Sequence, residues 1–235
     1  MTTSSKPKIL FVLTSHGKLG DTGKPTGWYL PEFAHPYHIL KLYTSITVAS
    51  PAGGEAPLDP SSVEMFKEDK TSQDFLKADE KVYKESQVLS TFTGRAYEFD
   101  AIFFVGGHGP LFDLTDNPIS KALIAEFHTA GKIIAAVCHG SAALLNVKLE
   151  NGEYLLKDQP VTGFSNDEED TIGLSSVVPF MLETELEKRS GGMYKKATVL
   201  WGEKVAIGHG GKLITGQNPA SAGLVGETIK KALGL

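Results

Sequence analysis

The sequence predicts an α/β protein with a mainly parallel sheet between layers of helices, and three observations lead there. Short unbroken apolar runs recur along the chain (KILFVLT, ITVAS, AIFFV, KIIAAV), as strands covered on both faces require. Several of them are followed by stretches whose apolar residues fall at helical spacing, which supplies the crossovers of a parallel sheet. Gly and Pro punctuate the joints.

Taken in order, residues 8–14 form a first strand, 15–27 a Gly-rich loop, and 30–42 a helix with Pro31 in its first turn. Residues 46–50 are a second strand, 51–62 a polar loop and 72–84 a charged helix. A third strand over 101–105 ends in Gly106-Gly107-His108-Gly109, and apolar residues at 119, 123, 124 and 127 mark one helix face. The fourth strand, 132–137, runs without a polar break into Cys138-His139-Gly140 and a helix-like SAALL. Beyond it, Asn151-Gly152 predicts a hairpin over 146–159. A short strand at 161–164, an acidic run at 166–170 and a helix at 179–189 follow, then late strands at 198–201, 205–208 and 213–215. Val225, Ile229 and Leu233 stripe a last helix. Residues 1–235 are expected to form one domain, with insertions near 15–31, 51–97 and 146–160.

Composition narrows the function. With 28 acidic against 23 basic residues and no clustered Lys/Arg stripe, a nucleic-acid partner is not expected. A single cysteine excludes an internal disulfide framework and fits a reducing compartment. The apolar run 9–13 is too short for a signal-peptide core or a membrane span, so a cytoplasmic location and no membrane partner are expected.

In parallel α/β sheets ligands bind beyond the carboxyl ends of the strands, where Cys138 sits. A strand that turns at once into a helix puts that side chain on a tight bend and aims free N–H groups at it, which favours the reactive thiolate. Gly140, Ser141, Ala142 and Ala143 permit the close packing this elbow needs, and the setting outweighs the ordinary reading of a lone cysteine as a core thiol. His139 is adjacent, either as a base or through its backbone N–H alone. Two histidines, His35 and His38, flank Pro36 without a third ligand, so no metal site is assigned. Asn218-Pro219 reads as an N-cap and first turn, and Trp28 and Tyr29 as a pocket wall or core.

The segments Ala135-Ala136-Val137-Cys138-His139-Gly140, Gly106-Gly107-His108-Gly109 and Thr215-Gly216-Gln217-Asn218-Pro219-Ala220-Ser221 resemble the ThiJ/PfpI superfamily over nearly the whole chain. Thr26-Gly27, Glu32, His35-Pro36, the run from Gly107 to Asp113 and Thr162-Gly163-Phe164 resemble its fungal and bacterial branch of glutathione-independent glyoxalases, also described as heat-shock chaperones. That resemblance implies a flavodoxin-like sandwich, a nucleophilic Cys138, and a carboxylic acid, Glu32, hydrogen-bonded to the sulfur. It also implies a Cys-His-acid triad whose third member falls on Glu169, with Glu168 as the alternative. The implied chemistry converts a small 2-oxoaldehyde such as methylglyoxal to its 2-hydroxy acid, D-lactate, with no cofactor and no metal. In it, Gly107 and His139 backbone groups hold the oxyanion, His139 or Glu32 moves the proton, and His108 binds substrate. A homodimer is implied as well. The rival readings are a holdase chaperone for unfolded proteins, a protein deglycase, and a cysteine peptidase.

Overall fold

The computed structural model describes residues 6–235. In chain order the elements are β1 (Lys8–Val12), α1 (Leu30–Leu40), β2 (Ser45–Ser50), α2 (Pro60–Met65), α3 (Lys70–Ala78), α4 (Lys81–Lys84), β3 (Gln87–Val88) and β4 (Ala101–Phe104). There follow α5 (Pro110–Asp113), α6 (Pro118–Thr129), β5 (Ile133–Val137), α7 (Asn166–Thr171), α8 (Leu182–Ser190), β6 (Val205–Gly208), β7 (Leu213–Gly216) and α9 (Ala222–Ala232).

The strands form one seven-stranded sheet in the order β3-β2-β1-β4-β5-β7-β6. Every pairing is parallel except that of the edge strand β6 with β7. The four central apolar runs predicted from sequence are the strands at its middle, and Ile9–Val12, Ala101–Phe104 and Ile133–Val137 are buried throughout. Helices α1 and α9 pack on each other on one side, and α6 packs on β4 and β5 on the other, so both faces are covered as the unbroken apolar strands demanded. This is the flavodoxin-like sandwich. Phe11 on β1 is central to one layer, with its ring edge-on to Phe33 at 5.3 Å and to Phe103 at 5.0 Å. No helix among the described residues is long and apolar enough to cross a membrane.

Several local expectations are corrected. The charged helix foreseen over 72–84 is two helices, α3 and α4. The chain leaves α3 at Asp79, whose carboxylate is drawn to Lys41 Nζ 2.7 Å away. The hairpin foreseen over 146–159 is one antiparallel bridge, Lys148 to Tyr154, around a turn at Gly152. Leu155 and Leu156 are both fully buried, which the alternating faces of a half-exposed strand would not allow. The segment 161–164 makes only a bridge from Val161 to Tyr194, and 198–201 is irregular, with Val199 and Leu200 exposed. The helix after Cys138 is 3₁₀ rather than α, over Cys138–Leu144.

Because Phe11 joins β1, β4 and α1 in one aromatic contact, Phe11→Ala is expected to lower the unfolding free energy by about 3–5 kcal/mol in urea titration. A loss below about 1 kcal/mol would show that this layer does not carry the core.

Candidate active site

The carboxyl ends of β4 and β5 lie side by side, because Phe104 pairs with Ala136, and the next residues on each strand build the site. After β5 the chain turns at Cys138, which takes a left-handed φ of 56°. A side chain rarely adopts that conformation, and here it holds the sulfur off the end of the sheet in the manner of a nucleophile elbow. After β4 the chain runs into Gly106-Gly107, and two close approaches require both glycines. A Cβ on Gly106 would lie 2.4 Å from Glu32 Oε2 and 2.7 Å from Cys138 Cβ. One on Gly107, at φ +94°, would lie 2.3 Å from the Gly27 carbonyl oxygen.

These approaches dock the start of α1 onto the sheet. The Tyr29 N–H donates to the Gly106 carbonyl at 3.1 Å, and Glu32, three residues on, is carried over the sulfur. Pro36 has no N–H to give the Glu32 carbonyl one turn back, so that carbonyl goes without its helical hydrogen bond. Glu32 is fully buried and both its carboxyl oxygens lack a well-formed hydrogen bond, the Cys138 thiol and the Gly107 N–H being their polar neighbours.

His139 is 1% exposed. Its Nδ1 is 3.4 Å from Cys138 Sγ, and its Nε2 donates to Glu169 Oε2 at 2.6 Å. Glu169 Oε1 accepts a second hydrogen bond from His108 Nε2 at 2.9 Å, so one carboxylate, which can only accept, fixes both rings as Nε2–H tautomers. Glu168 faces elsewhere. At the third position of α7 it closes a capping box with Ser165 and accepts from Gln217 Nε2 at 2.9 Å and Asn218 Nδ2 at 2.6 Å. Between Glu168 and Glu169, the structure thus puts Glu169 against the histidines. The predicted Cys138, His139, Glu32, Glu169, Gly107 and His108 all converge within one site.

The cavity over the sulfur has a volume of about 560 Å³. Tyr29, Phe66, Phe164, Ile172 and Trp201 line it in addition to the groups above, whereas Trp28 belongs to the core beside Phe33 and Tyr83. Sequence reasoning did not single out Phe66, Ile172 or Trp201, which come from segments without periodicity. His35, considered with His38, lines the cavity as well and pairs with Asp69 Oδ2 at 2.8 Å. Among the described residues the ligand atoms of His108, His139 and Glu169 lie within 4.8 Å of one another, which is metal-ligand spacing. Both Glu169 oxygens are already held by imidazole N–H groups there, so a cation would have to displace two protons.

Residues 32–166, from the acid over the sulfur to the start of α7, match the DJ-1/PfpI family. The chain belongs to that family. It is 29% identical to glyoxalase 3 of Candida albicans, covering 94% of this chain and 96% of that protein. It is 26% identical to the glutathione-independent glyoxalase HSP31 of Saccharomyces cerevisiae, over 92% of this chain and 93% of that one. In structure it resembles the Rapid Encystment Protein 24 kDa of Francisella tularensis, with a TM-score of 0.89, 39% identity and 97% and 99% of the two chains covered. Glyoxalase III of Candida albicans superposes with a TM-score of 0.84 at 27% identity, over 96% and 97%.

Electrostatics in this DJ-1/PfpI site run against one expectation. Burial and the Glu32 carboxyl push the Cys138 thiol well up, and the N–H groups of Gly107 and His139 offset this only in part. The N–H groups at the start of the short 3₁₀ segment do not outweigh that burial. Burial raises Glu32 to about 8, so it is a neutral acid at neutral pH. Burial and the neighbouring His108 hold His139 below the usual histidine range, which keeps it neutral and able to accept a proton. Burial alone would raise Glu169, but His139 and His108 outweigh it and bring the carboxyl to about 2.

Because Glu32 binds its proton more tightly folded than unfolded, its contribution to stability is complete below about pH 4.5 and is lost as pH rises through about 8. Urea titrations at about pH 5 and pH 9 are expected to show a larger fall for wild type than for Glu32→Gln, by roughly 2–4 kcal/mol. Equal falls would mean that Glu32 is ionised in the folded chain.

Proposed function

We propose that this chain is a glutathione-independent glyoxalase, a lyase of the D-lactate dehydratase type that converts methylglyoxal and related 2-oxoaldehydes to 2-hydroxy acids through a hemithioacetal on Cys138. The observation that carries the reading is the buried Cys138–His139–Glu169 relay beside a neutral Glu32, facing a largely apolar cavity. Relatives named as glyoxalases over more than nine-tenths of both lengths support it.

The residues divide the chemistry as follows. As Sγ bonds to the aldehyde carbon, the thiol proton passes to His139 Nδ1 and Glu32 gives its proton to the carbonyl oxygen, so no charged thiolate has to persist in the apolar site. Glu169 stabilises the imidazolium. Glu32, now a carboxylate, removes the hydrogen from the former aldehyde carbon while His139 protonates the ketone oxygen, giving an enediol. Glu32 returns that hydrogen to the second carbon as His139 takes the proton of the first hydroxyl, leaving a thioester. Water, giving one proton to Glu32, attacks the thioester carbonyl as the His139 imidazolium returns its proton to the leaving sulfur, which releases the 2-hydroxy acid and restores the thiol, the neutral Glu32 and the neutral His139. The first carbon is oxidised and the second reduced, so no external redox partner enters. The N–H groups of Gly107 and His139, which approach Sγ, are the donors nearest the developing oxyanion. On the family likeness the chain acts as a cytoplasmic homodimer.

HchA of Pseudomonas aeruginosa, named a protein/nucleic acid deglycase, is 26% identical over 95% of this chain and favours release of the same aldehydes from adducts as a second reading. A holdase acting on unfolded proteins would use exposed apolar residues such as Met65 and Val199, and would not need the thiol.

The test is incubation with methylglyoxal alone, following D-lactate enzymatically. Wild type is expected to produce it and Cys138→Ala to fall to background with an unchanged fold. Turnover by Cys138→Ala near the wild-type rate would refute the mechanism. In the same assay Glu169→Gln is expected to lower kcat by roughly 100-fold, since it orients the base without reacting. Glu168→Gln is expected instead to lower stability by about 1–3 kcal/mol, through its bonds to Gln217 and Asn218. The reverse pattern would exchange the roles of the two acids.

A further inference from the structure

The cavity is out of proportion to methylglyoxal. At about 30 Å³ for each water-sized group, the five non-hydrogen atoms of that aldehyde fill about 150 Å³ of the roughly 560 Å³ available. The lining is mostly apolar. From His139 an aromatic wall continues outward, with Phe164 4.5 Å away and Trp201 5.7 Å beyond it, centroid to centroid. Ile172 lines the cavity too, as do Met65 and Phe66 beside Tyr29, and among the described residues no Lys or Arg lines it. An anionic substituent would find no Lys or Arg there, and the lining histidines His35 and His108 are already paired with Asp69 and Glu169.

Trp201 supplies an independent observation. It takes a left-handed φ of 61°, costly for a bulky side chain, and remains 39% exposed, so core packing does not explain its placement. The turn is held from behind, because Asn218 Nδ2 donates to the Gly202 carbonyl at 2.8 Å and to Glu168 at 2.6 Å. The buried network that anchors α7 therefore also presents an indole face to the cavity.

We infer that the site is built for 2-oxoaldehydes carrying a bulky uncharged apolar or aryl group, with Trp201 as the specificity-determining residue. This rests on the glyoxalase reading. The oxoaldehyde end lies against Cys138 and His139, and the aryl group stacks along Phe164 and Trp201, gaining buried area and ring contacts that a methyl group cannot make.

The experiment compares initial rates on methylglyoxal and phenylglyoxal for wild type, Trp201→Ala and Trp201→Phe, together with competitive inhibition by the corresponding products, lactate and mandelate. Wild type is expected to favour phenylglyoxal in kcat/KM by at least about tenfold, chiefly through KM, and to bind mandelate more tightly than lactate by a similar factor. Trp201→Ala is expected to bring both ratios within about threefold of unity, and Trp201→Phe to retain most of each. A wild type that turns over methylglyoxal at least as well as phenylglyoxal, or ratios unchanged in Trp201→Ala, would overturn the assignment while leaving the glyoxalase reading intact. Turnover of neither aldehyde would refute that reading, and this assignment with it.

Discussion

The site depends on one constraint: an acid and a thiol are buried against each other at the end of a parallel sheet, with only a glycine backbone between them. Neither group has a cation to neutralise it, so each is held in its uncharged form, and ionisation of either is suppressed. Much of the surrounding backbone serves this arrangement. Gly106 has no side chain because the Glu32 carboxyl and Cys138 Cβ occupy that space, Gly107 admits the Gly27 backbone, and the Tyr29–Gly106 hydrogen bond fixes where α1 begins. The left-handed Cys138 costs on the order of 1–3 kcal/mol, and the fully buried strands on either side over-determine it.

A second carboxylate does the opposite work. Glu169 is also buried, but two imidazole N–H groups keep it ionised where Glu32 is kept neutral. Two acids on either side of one sulfur are thus pushed in opposite directions by their surroundings, which divides the roles of proton donor and orienting anion before any substrate arrives. The pair Glu168 and Glu169 shows how finely this is set. Adjacent residues on a helix point about 100° apart, so the one that caps α7 and holds Asn218 cannot also reach His139.

The central sheet was legible because strands covered on both faces need uninterrupted apolar runs, and β1, β4 and β5 have them. Cys138 was legible for the same reason, as the first polar residue after such a run. The choice between the two acids was also within reach. Ser165-Asn166-Asp167-Glu168 is a capping-box sequence, which assigns Glu168 to the helix start and leaves Glu169 free. What could not be read were features set by distant contacts. The resting charge of Cys138 depends on Glu32, more than a hundred residues away in sequence, and the short helix that was expected to lower the thiol is a 3₁₀ segment. The cavity wall at Phe66 and Ile172 comes from the ends of the short helices α2 and α7, and that at Trp201 from an irregular segment held by Asn218 through Gly202.

The neutral state of Glu32 is the claim on which the electrostatic account turns, and infrared difference spectroscopy of wild type against Glu32→Gln tests it most directly. The account predicts a protonated-carboxyl stretch at about pH 6 that is present only in wild type and titrates away through about pH 8. A difference spectrum showing only an ionised carboxylate at about pH 6 would contradict it.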